Sequence, residues 1–254
     1  MAKRYANPSA FRAALTQAAR NMSKKTGMSV PDLMKIFWFN RLAARVFTTD
    51  PDGWLIKGGQ ALLVRYRGRA RLSQDIDLQC THPERSAEEA RDLVVKAAAL
   101  DLGDYLRYVP GKFEEHSDEG RGGAQYFEVF LGAGLVSTIK VDLVVGRELI
   151  GVPEVRTLRS AVDLEWPVDW PDVRLYPVID HIADKVCAMY ERHGQNGEHG
   201  SNRYRIYSQG TGLQPGGEAN LRFALTSEAV ALSILVSVSS RSSTRSGDLL
   251  AGRA

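Results

Sequence analysis

The stretch from Lys57 to Leu78 constrains the fold of this chain more than any other. It opens after an apolar run with a glycine pair, continues as a short amphipathic helix, passes through a basic segment and ends in an Asp-x-Asp run. Because residues two apart on a strand face the same way, Asp75 and Asp77 are predicted to present their carboxylates on one side while Ile76 and Leu78 face the core. Paired carboxylates beside a glycine turn predict a binding site for a divalent cation and a nucleoside triphosphate.

An Asp-x-Asp run alone also occurs on exposed strands and turns that bind nothing. The context favours a site, because the glycine pair Gly58-Gly59 and the run Arg71-x-Ser73-x-Asp75-x-Asp77 stand together. A solvated face would not require that combination of residues.

A further carboxylate lies in the run from Thr138 to Val144, where alternation places Lys140 and Asp142 on the polar face of a strand. An Asp within an apolar strand is costly to bury without a partner or a cation. Two interpretations follow for this strand: Asp142 pairs with an arginine, or it is a third metal ligand. The aspartates of the first run favour the second interpretation.

Composition indicates a soluble globular protein, since the 254 residues are 44% hydrophobic and 25% charged. No apolar run spans a bilayer and the N-terminus lacks the features of a signal peptide, so a cytoplasmic location is predicted. The distant Cys80 and Cys187 fit reduced thiols. The net charge is only +3, but a local group of arginines is predicted to attract polyanions near the aspartates: Arg65, Arg67, Arg69 and Arg71.

Helical and extended segments alternate along the chain. Ser9 is predicted to cap a helix over residues 10–22. A second helix is predicted to start after the run from Ser29 to Asp32 and to end at Val46, and a capping box at Ser86 and Glu89 opens a third that ends near residue 100. Strands are predicted over residues 105–109, 125–131 and 137–145, with a mobile loop over 114–123. These elements predict an α+β fold with a mixed or antiparallel sheet.

The predicted organisation has four parts: N-terminal helices over 1–50, a core over 51–150, a helical C-terminal part over 151–206, and an atypical tail rich in Ser, Gly and Arg over 207–254. The third part contains the amphipathic run from Ile179 to Met189, which carries Lys185. A lysine on such a helix is ordinarily solvated.

Taken together, the Gly58-Gly59 turn, the Arg71 to Asp77 run, the Lys140-x-Asp142 strand and the Ile182-Ala183-Asp184-Lys185 helix resemble the AbiEii-type nucleotidyltransferases, the toxins of AbiE and MenAT toxin–antitoxin systems. The resemblance covers about residues 8–205. It implies a polymerase-β-like nucleotidyltransferase core with a helical C-terminal part. Some members add pyrimidines to the 3′ end of tRNA and so block aminoacylation, and an AbiEi-type antitoxin neutralises the toxin.

The resemblance also implies roles for individual residues. Mg²⁺ or Mn²⁺ would be held by Asp75, Asp77 and Asp142, which with Lys185 form the catalytic set. An NTP, with CTP as one candidate, would be contacted by a second set: Gly58, Gly59, Arg71, Ser73, Lys140 and Lys185.

The sequence departs from the family pattern after Arg205, where an aspartate-containing helix is expected and Ile206-Tyr207-Ser208 stands instead. A shifted reading frame or a replaced C-terminus is the hypothesis. Two alternatives to a tRNA-modifying toxin follow from the residues: a nucleotidyltransferase acting on a protein or small molecule, and a catalytically impaired module that binds NTP or antitoxin.

Overall fold

The computed structural model describes residues 5–66, 73–116, 122–167 and 170–185. Within them lie the helices α1 (Pro8–Thr26), α2 (Val30–Thr49), α3 (Gly58–Tyr66) and α4 (Ala87–Ala98), and a segment α5 that covers residues 178–185. The strands are β1 (Trp54–Lys57), β2 (Ile76–Cys80), β3 (Leu106–Glu115), β4 (Gly122–Leu131), β5 (Gly134–Val144), β6 (Glu154–Thr157) and β7 (Asp172–Leu175). The α+β fold class is therefore confirmed.

These strands form one mixed sheet in the order β3-β4-β5-β2-β1-β7-β6. Strand β2 pairs parallel with β5 and β1 pairs parallel with β7, whereas the other neighbours are antiparallel. The two-residue turn Gly132-Ala133 joins β4 to β5 in a hairpin. The parallel pairing of β2 and β5 brings together two strands that lie far apart in the sequence.

The core lies between one face of the sheet and the helices. Alternation along β4 and β5 turns every second residue to this side, and helices α1, α2 and α4 cover it with aromatic and aliphatic side chains. Buried members include Phe11, Leu15, Phe37, Phe39, Val94, Phe127, Val129, Ile139, Val141 and Leu143. The same alternation leaves Lys140 and Asp142 on the opposite face.

Of the two predicted helix caps, the structure confirms one. The capping box of Ser86 and Glu89 is present at the start of α4, and Ser29 caps α2. The cap predicted at Ser9 is wrong, because the side chain of Asn7 accepts the backbone N–H of Ala10 at 2.9 Å. Pro8 occupies the first helical turn, where its missing N–H costs nothing, and the cap therefore precedes it.

The loop predicted over 114–123 is shorter than expected. Glu114 and Glu115 belong to β3, and Gly122 and Gly123 belong to β4, with Glu115 opposite Gly123 in the ladder. A long antiparallel ladder overrides the low strand propensity of glycine here. Residues 117–121 lie outside the described residues.

The region over 151–206 is not helical throughout. Strands β6 and β7 extend the sheet before α5 begins, and neither was predicted from the sequence. Each has only four residues, which is too short for alternation to reveal. The tail over 207–254 and Cys187 lie outside the described residues, and the division into four parts stays a prediction.

The described helices offer no candidate membrane span, since none combines the length and apolarity that crossing a bilayer requires. Cys80 is a buried free thiol, as predicted.

Candidate active site

Three carboxylates meet where β2 and β5 run side by side. Asp77 lies directly opposite Asp142 in the parallel ladder, and Asp75 precedes β2 by one residue. One oxygen from each of the three side chains lies within 4.8 Å of the others. Ile76 and Leu78 are buried, as the alternation predicted. The structure therefore brings the predicted aspartates to one point on the sheet.

Gly58 provides the space for this cluster. It adopts a φ of 59°, a conformation that suits glycine, between the end of β1 and the start of α3. A Cβ atom at this position would lie 1.7 Å from Oδ2 of Asp77, and one at Gly59 would lie 2.9 Å from Oγ of Ser73. The glycine pair lets the backbone approach the carboxylates closely.

Ser73 is tied directly to the cluster. Its hydroxyl donates a hydrogen bond of 3.2 Å to Oδ1 of Asp75, and the residue is buried. The family resemblance implies that Ser73 contacts the nucleotide. Its contact with Asp75 puts it at the edge of the carboxylate cluster.

Within the described part of the chain, the cation closest to Asp142 is a lysine on the same strand. The ammonium of Lys140 lies 2.8 Å from Oδ2 of Asp142 and 3.9 Å from Oδ2 of Asp75. His116 adds an imidazole nitrogen 3.9 Å from Oδ1 of Asp142. Among the described residues the basic side chains beside Asp142 are thus a lysine and a histidine, and not the arginine of the alternative interpretation.

Burial and the repulsion of neighbouring charges raise the pKa of Asp77 and Asp142. Burial raises the pKa of Asp77 to about 6, with the charges of Asp75 and Asp142 adding to the effect and those of Lys185 and Lys57 opposing it. Burial also raises the pKa of Asp142, although Lys140 acts in the opposite direction. Negative charges held close together in this way are stabilised by a bound cation.

One oxygen atom of Asp142 indicates that the three carboxylates suit a metal ion. Oδ1 of Asp142 is buried and accepts no hydrogen bond from any described residue. A buried carboxylate oxygen without a donor is costly, and a hard divalent cation is the ligand that would satisfy it. A cation here would compete with Lys140 for the other oxygen of Asp142.

Sequence reasoning gave Lys57 and Asp184 no function. The Lys57 ammonium lies 3.0 Å from Oδ2 of Asp184, and Arg147 lies 3.3 Å from the other oxygen of that carboxylate. Lys57 immediately precedes the glycine pair and Asp184 immediately precedes Lys185, and that adjacency was the available signal. The ion pair links the strand that leads into the glycine turn to the helix that carries Lys185.

The predicted arginine group is only partly described. Arg65 lies at the end of α3, where its guanidinium is 2.7 Å from Glu154 and donates to the carbonyl of Tyr176. It therefore anchors β6 and does not offer a free charge to a ligand. Arg67, Arg69 and Arg71 lie outside the described residues.

The sequence of the chain decides the family. Residues 41–205 match the family model described as the nucleotidyl transferase AbiEii toxin of a type IV toxin–antitoxin system. The chain belongs to the AbiEii nucleotidyltransferase toxin family. The match ends at Arg205, the residue after which the sequence departs from the expected pattern.

Two solved structures resemble this AbiEii chain at 16% sequence identity. MenT4, a nucleotidyltransferase toxin from Mycobacterium tuberculosis H37Rv, aligns with a TM-score of 0.47 over 71% of this chain and 59% of its own. A protein from H. pylori, provisionally described as a nucleotidyltransferase, aligns with a TM-score of 0.36 over 58% of this chain and 56% of its own. The chain thus spans less than two thirds of either protein. A search of the curated proteins finds no match.

The AbiEii family model describes a nucleotidyl transferase, and the donor set of the site agrees with that description. Such an enzyme needs carboxylates for a divalent metal ion and donors for a triphosphate. The cluster of Asp75, Asp77 and Asp142 could hold the metal ion.

Proposed function

We propose that this AbiEii chain transfers a nucleotide from an NTP to the 3′ end of tRNA and thereby blocks translation. The observation that supports this proposal best is the buried Oδ1 of Asp142, which lies beside Asp75 and Asp77 and receives no hydrogen bond from the residues that the structure describes. That arrangement suits a metal-dependent transfer to a hydroxyl group, which is the reaction of the family. Transfer to tRNA, with a pyrimidine nucleotide such as CTP as the donor, follows from the resemblance to the tRNA-modifying members.

Asp75, Asp77 and Asp142 would hold the metal ion, Mg²⁺ or Mn²⁺. When bound, it would act as a Lewis acid that stabilises charge on the reacting phosphate and lowers the pKa of the acceptor hydroxyl. The remaining steps depend on the residues of the chain itself.

The triphosphate would lie at the start of α3, where the glycine pair allows close approach to the backbone. Ser73 and Lys140 flank the carboxylates, and Lys185 is close enough to Asp77 to lower its pKa. Lys185 and Arg71 would neutralise the β- and γ-phosphates, although Arg71 lies outside the described residues. Fixed positive charge of this kind favours departure of pyrophosphate.

The reaction balances as a simple substitution. The 3′-hydroxyl oxygen of the acceptor forms a bond to the α-phosphorus, and the bond between the α-phosphorus and the bridging oxygen breaks. Pyrophosphate leaves with the electron pair of the broken bond, and the hydroxyl proton passes to water. In-line geometry and electrostatic stabilisation account for most of the rate in reactions of this type.

The proposal includes a cellular setting. The toxin would act in the cytoplasm, where tRNA and NTPs are present. Its antitoxin would be of the AbiEi type.

Labelling of RNA tests the proposal. The purified protein is incubated with each of the four α-labelled NTPs, Mg²⁺ and total tRNA, and the products are separated on a denaturing gel. We expect label on tRNA with a pyrimidine NTP, and sequencing of the 3′ ends should show added nucleotides. Asp75→Ala should abolish the label, whereas Asp52→Ala, which alters an exposed aspartate, should not.

Each other outcome selects an alternative. Label on protein bands would identify a protein acceptor. NTP binding without transfer to any acceptor would identify an impaired module, in line with the altered sequence after Arg205. Equal labelling by wild type and Asp75→Ala would contradict the metal site.

A further inference from the structure

The open face of the sheet carries aromatic side chains beside the carboxylate cluster. Tyr126 lies on β4 directly opposite Lys140 of β5, and Phe130 lies further along β4 opposite Arg107 of β3. All four side chains are on the face that also carries Asp142, because register partners share a face. Neither ring is fully buried.

Each ring is paired with a cation. The ammonium of Lys112 lies 4.6 Å from the centre of the Tyr126 ring, and the guanidinium of Arg107 lies 4.8 Å from the centre of the Phe130 ring. Arg107 and Lys112 are exposed. This face of the sheet therefore carries aromatic rings next to positively charged side chains. Such a combination binds the bases and phosphates of single-stranded nucleic acid.

The two aromatic rings lie at increasing distances from the carboxylate cluster. Tyr126 is opposite Lys140, two positions before Asp142, which places its backbone about 7 Å from that of the carboxylate along the strand. Phe130 lies four positions further along β4, about 13 Å beyond Tyr126. A single nucleotide bound at the carboxylates would not reach Phe130, whereas a polynucleotide that enters along the sheet would contact both rings.

We infer that Tyr126, Phe130 and their partner cations form the docking surface for the single-stranded 3′ end of the acceptor RNA. This inference rests on the proposed function, because only a polynucleotide acceptor needs a surface that extends away from the site. The terminal base stacks at Tyr126, an upstream base stacks at Phe130, and Arg107 contacts an intervening phosphate, whereas Lys112 is engaged by Glu114. Unstacked bases are required for such contacts, so a single-stranded end fits and a duplex does not.

The acidic residues of this face are compatible with the assignment. Glu114 accepts hydrogen bonds from Lys112 and from the hydroxyl of Tyr126, so its charge is already balanced within the face. Glu128 lies between the two rings and is exposed to solvent. It is positioned to accept hydrogen bonds from ribose hydroxyls or base amino groups.

Direct binding tests the surface without any transfer reaction. The probe is a fluorescent single-stranded RNA of about eight nucleotides, within the range that such surfaces cover, and its binding is followed by anisotropy. Phe130→Leu keeps apolar volume but removes the ring, so the Kd should rise about tenfold. Arg107→Ala should weaken binding by a similar factor and reduce its salt dependence. Leu135→Ala is the matched control, since Leu135 is exposed opposite Phe130 but has no ring.

A kinetic measurement shows whether each ring contacts the acceptor RNA or the donor NTP. In the labelling assay, Tyr126→Leu and Phe130→Leu should raise the KM for RNA and leave the KM for the NTP unchanged. An increase in the NTP KM alone would show that the Tyr126 ring serves the incoming nucleotide, and that result overturns the inference. Unchanged RNA affinity in both Phe130→Leu and Arg107→Ala, with wild-type melting temperatures, would overturn it as well.

The binding assay also separates this inference from the proposed function. If wild type binds the RNA probe through these residues but labels no RNA, the surface stands and the proposed reaction fails. If wild type labels tRNA and the variants bind and react as wild type does, the reaction stands and the surface fails.

Discussion

The ammonium of Lys57 lies 3.0 Å from Oδ2 of Asp184 and 3.9 Å from the centre of the Tyr176 ring. Burial lowers the pKa of Lys57, and the hydrogen bond with Asp184 opposes that effect. Because Lys57 ends β1 and Asp184 lies in α5, the pair fixes the helix that carries Lys185 against the edge of the glycine turn. Lys57 and Asp184 thus act as positioning residues, which hold Lys185 beside the glycine turn.

Replacing Asp184 tests this link. Asp184→Ala leaves the buried ammonium of Lys57 without its carboxylate, and since Asp184 itself is partly exposed the loss of unfolding free energy should be about 1–3 kcal/mol. The KM for the NTP should also rise, because Lys185 is no longer held in place. Urea denaturation and steady-state kinetics measure the two effects.

The control for this pair is Asp52→Ala. Asp52 pairs with Arg174 at 3.2 Å, but its side chain is 91% exposed, so its loss should leave stability and kinetics close to wild type. Wild-type kinetics in Asp184→Ala would show that the pair has no positioning role.

The sequence predicted the parts of the site that depend on local pattern. Alternation placed Asp75 and Asp77 on one side of β2 and Asp142 on the polar face of β5. The ion pair of Lys57 and Asp184 spans 127 residues, and no local pattern reports such a contact. It becomes visible only when the fold brings the two segments together.

The secondary structure shows the same difference between local signals and long-range contacts. The capping box at Ser86 was readable because it depends on residues three apart, whereas β7 joins the sheet by pairing with β1, which is far away in the sequence, and β6 pairs with β7. The site could therefore be predicted where residues lie close in the sequence or share an alternating strand. The rest depends on tertiary contacts.

A second prediction concerns stability away from the site. The carboxylate of Asp104 lies 2.6 Å from the guanidinium groups of both Arg41 and Arg45, and all three side chains are fully buried. These arginines lower the pKa of Asp104 despite its burial. Asp104→Asn would leave buried positive charge uncompensated, so we expect a loss of about 3–5 kcal/mol in urea denaturation.

The matched control is Asp101→Asn, three residues earlier and exposed. Its side chain accepts a hydrogen bond from the backbone N–H of Gly103, and an asparagine can replace that contact. Stability should therefore stay close to wild type. An equal effect of the two substitutions would contradict the structural role of the buried cluster.

The third prediction concerns pH. The pKa of Asp77 is about 6 in the fold against an ordinary value of 3.8, so the folded protein holds an additional proton between these values. Without metal, stability should therefore fall as the pH rises from about 4 to 6, by about 1–3 kcal/mol. Metal binding requires the ionised carboxylate, so affinity for Mn²⁺ should increase as the pH rises through about 6.

Calorimetric titration of Mn²⁺ at pH 5 and pH 8 measures that dependence. Asp77→Asn should weaken binding at both values and flatten the difference between them. Asp32→Asn, which removes a carboxylate at the start of α2, should retain the wild-type dependence. Equal Mn²⁺ affinity of wild type at the two pH values would contradict the assignment of Asp77 as a ligand.

The fourth prediction separates backbone strain from crowding at the site. Gly58 and Gly27 both have positive φ, at 59° and 75°, so alanine is strained at either position by about 1–2 kcal/mol. Only at Gly58 would the new Cβ atom meet a side chain, because it would lie 1.7 Å from Oδ2 of Asp77, whereas Gly27 has open space. Gly58→Ala should therefore lose Mn²⁺ binding and nucleotidyl transfer, and Gly27→Ala should lose stability alone. If Gly58→Ala retained wild-type Mn²⁺ affinity, the close approach of the glycine turn to Asp77 would not matter for the metal site.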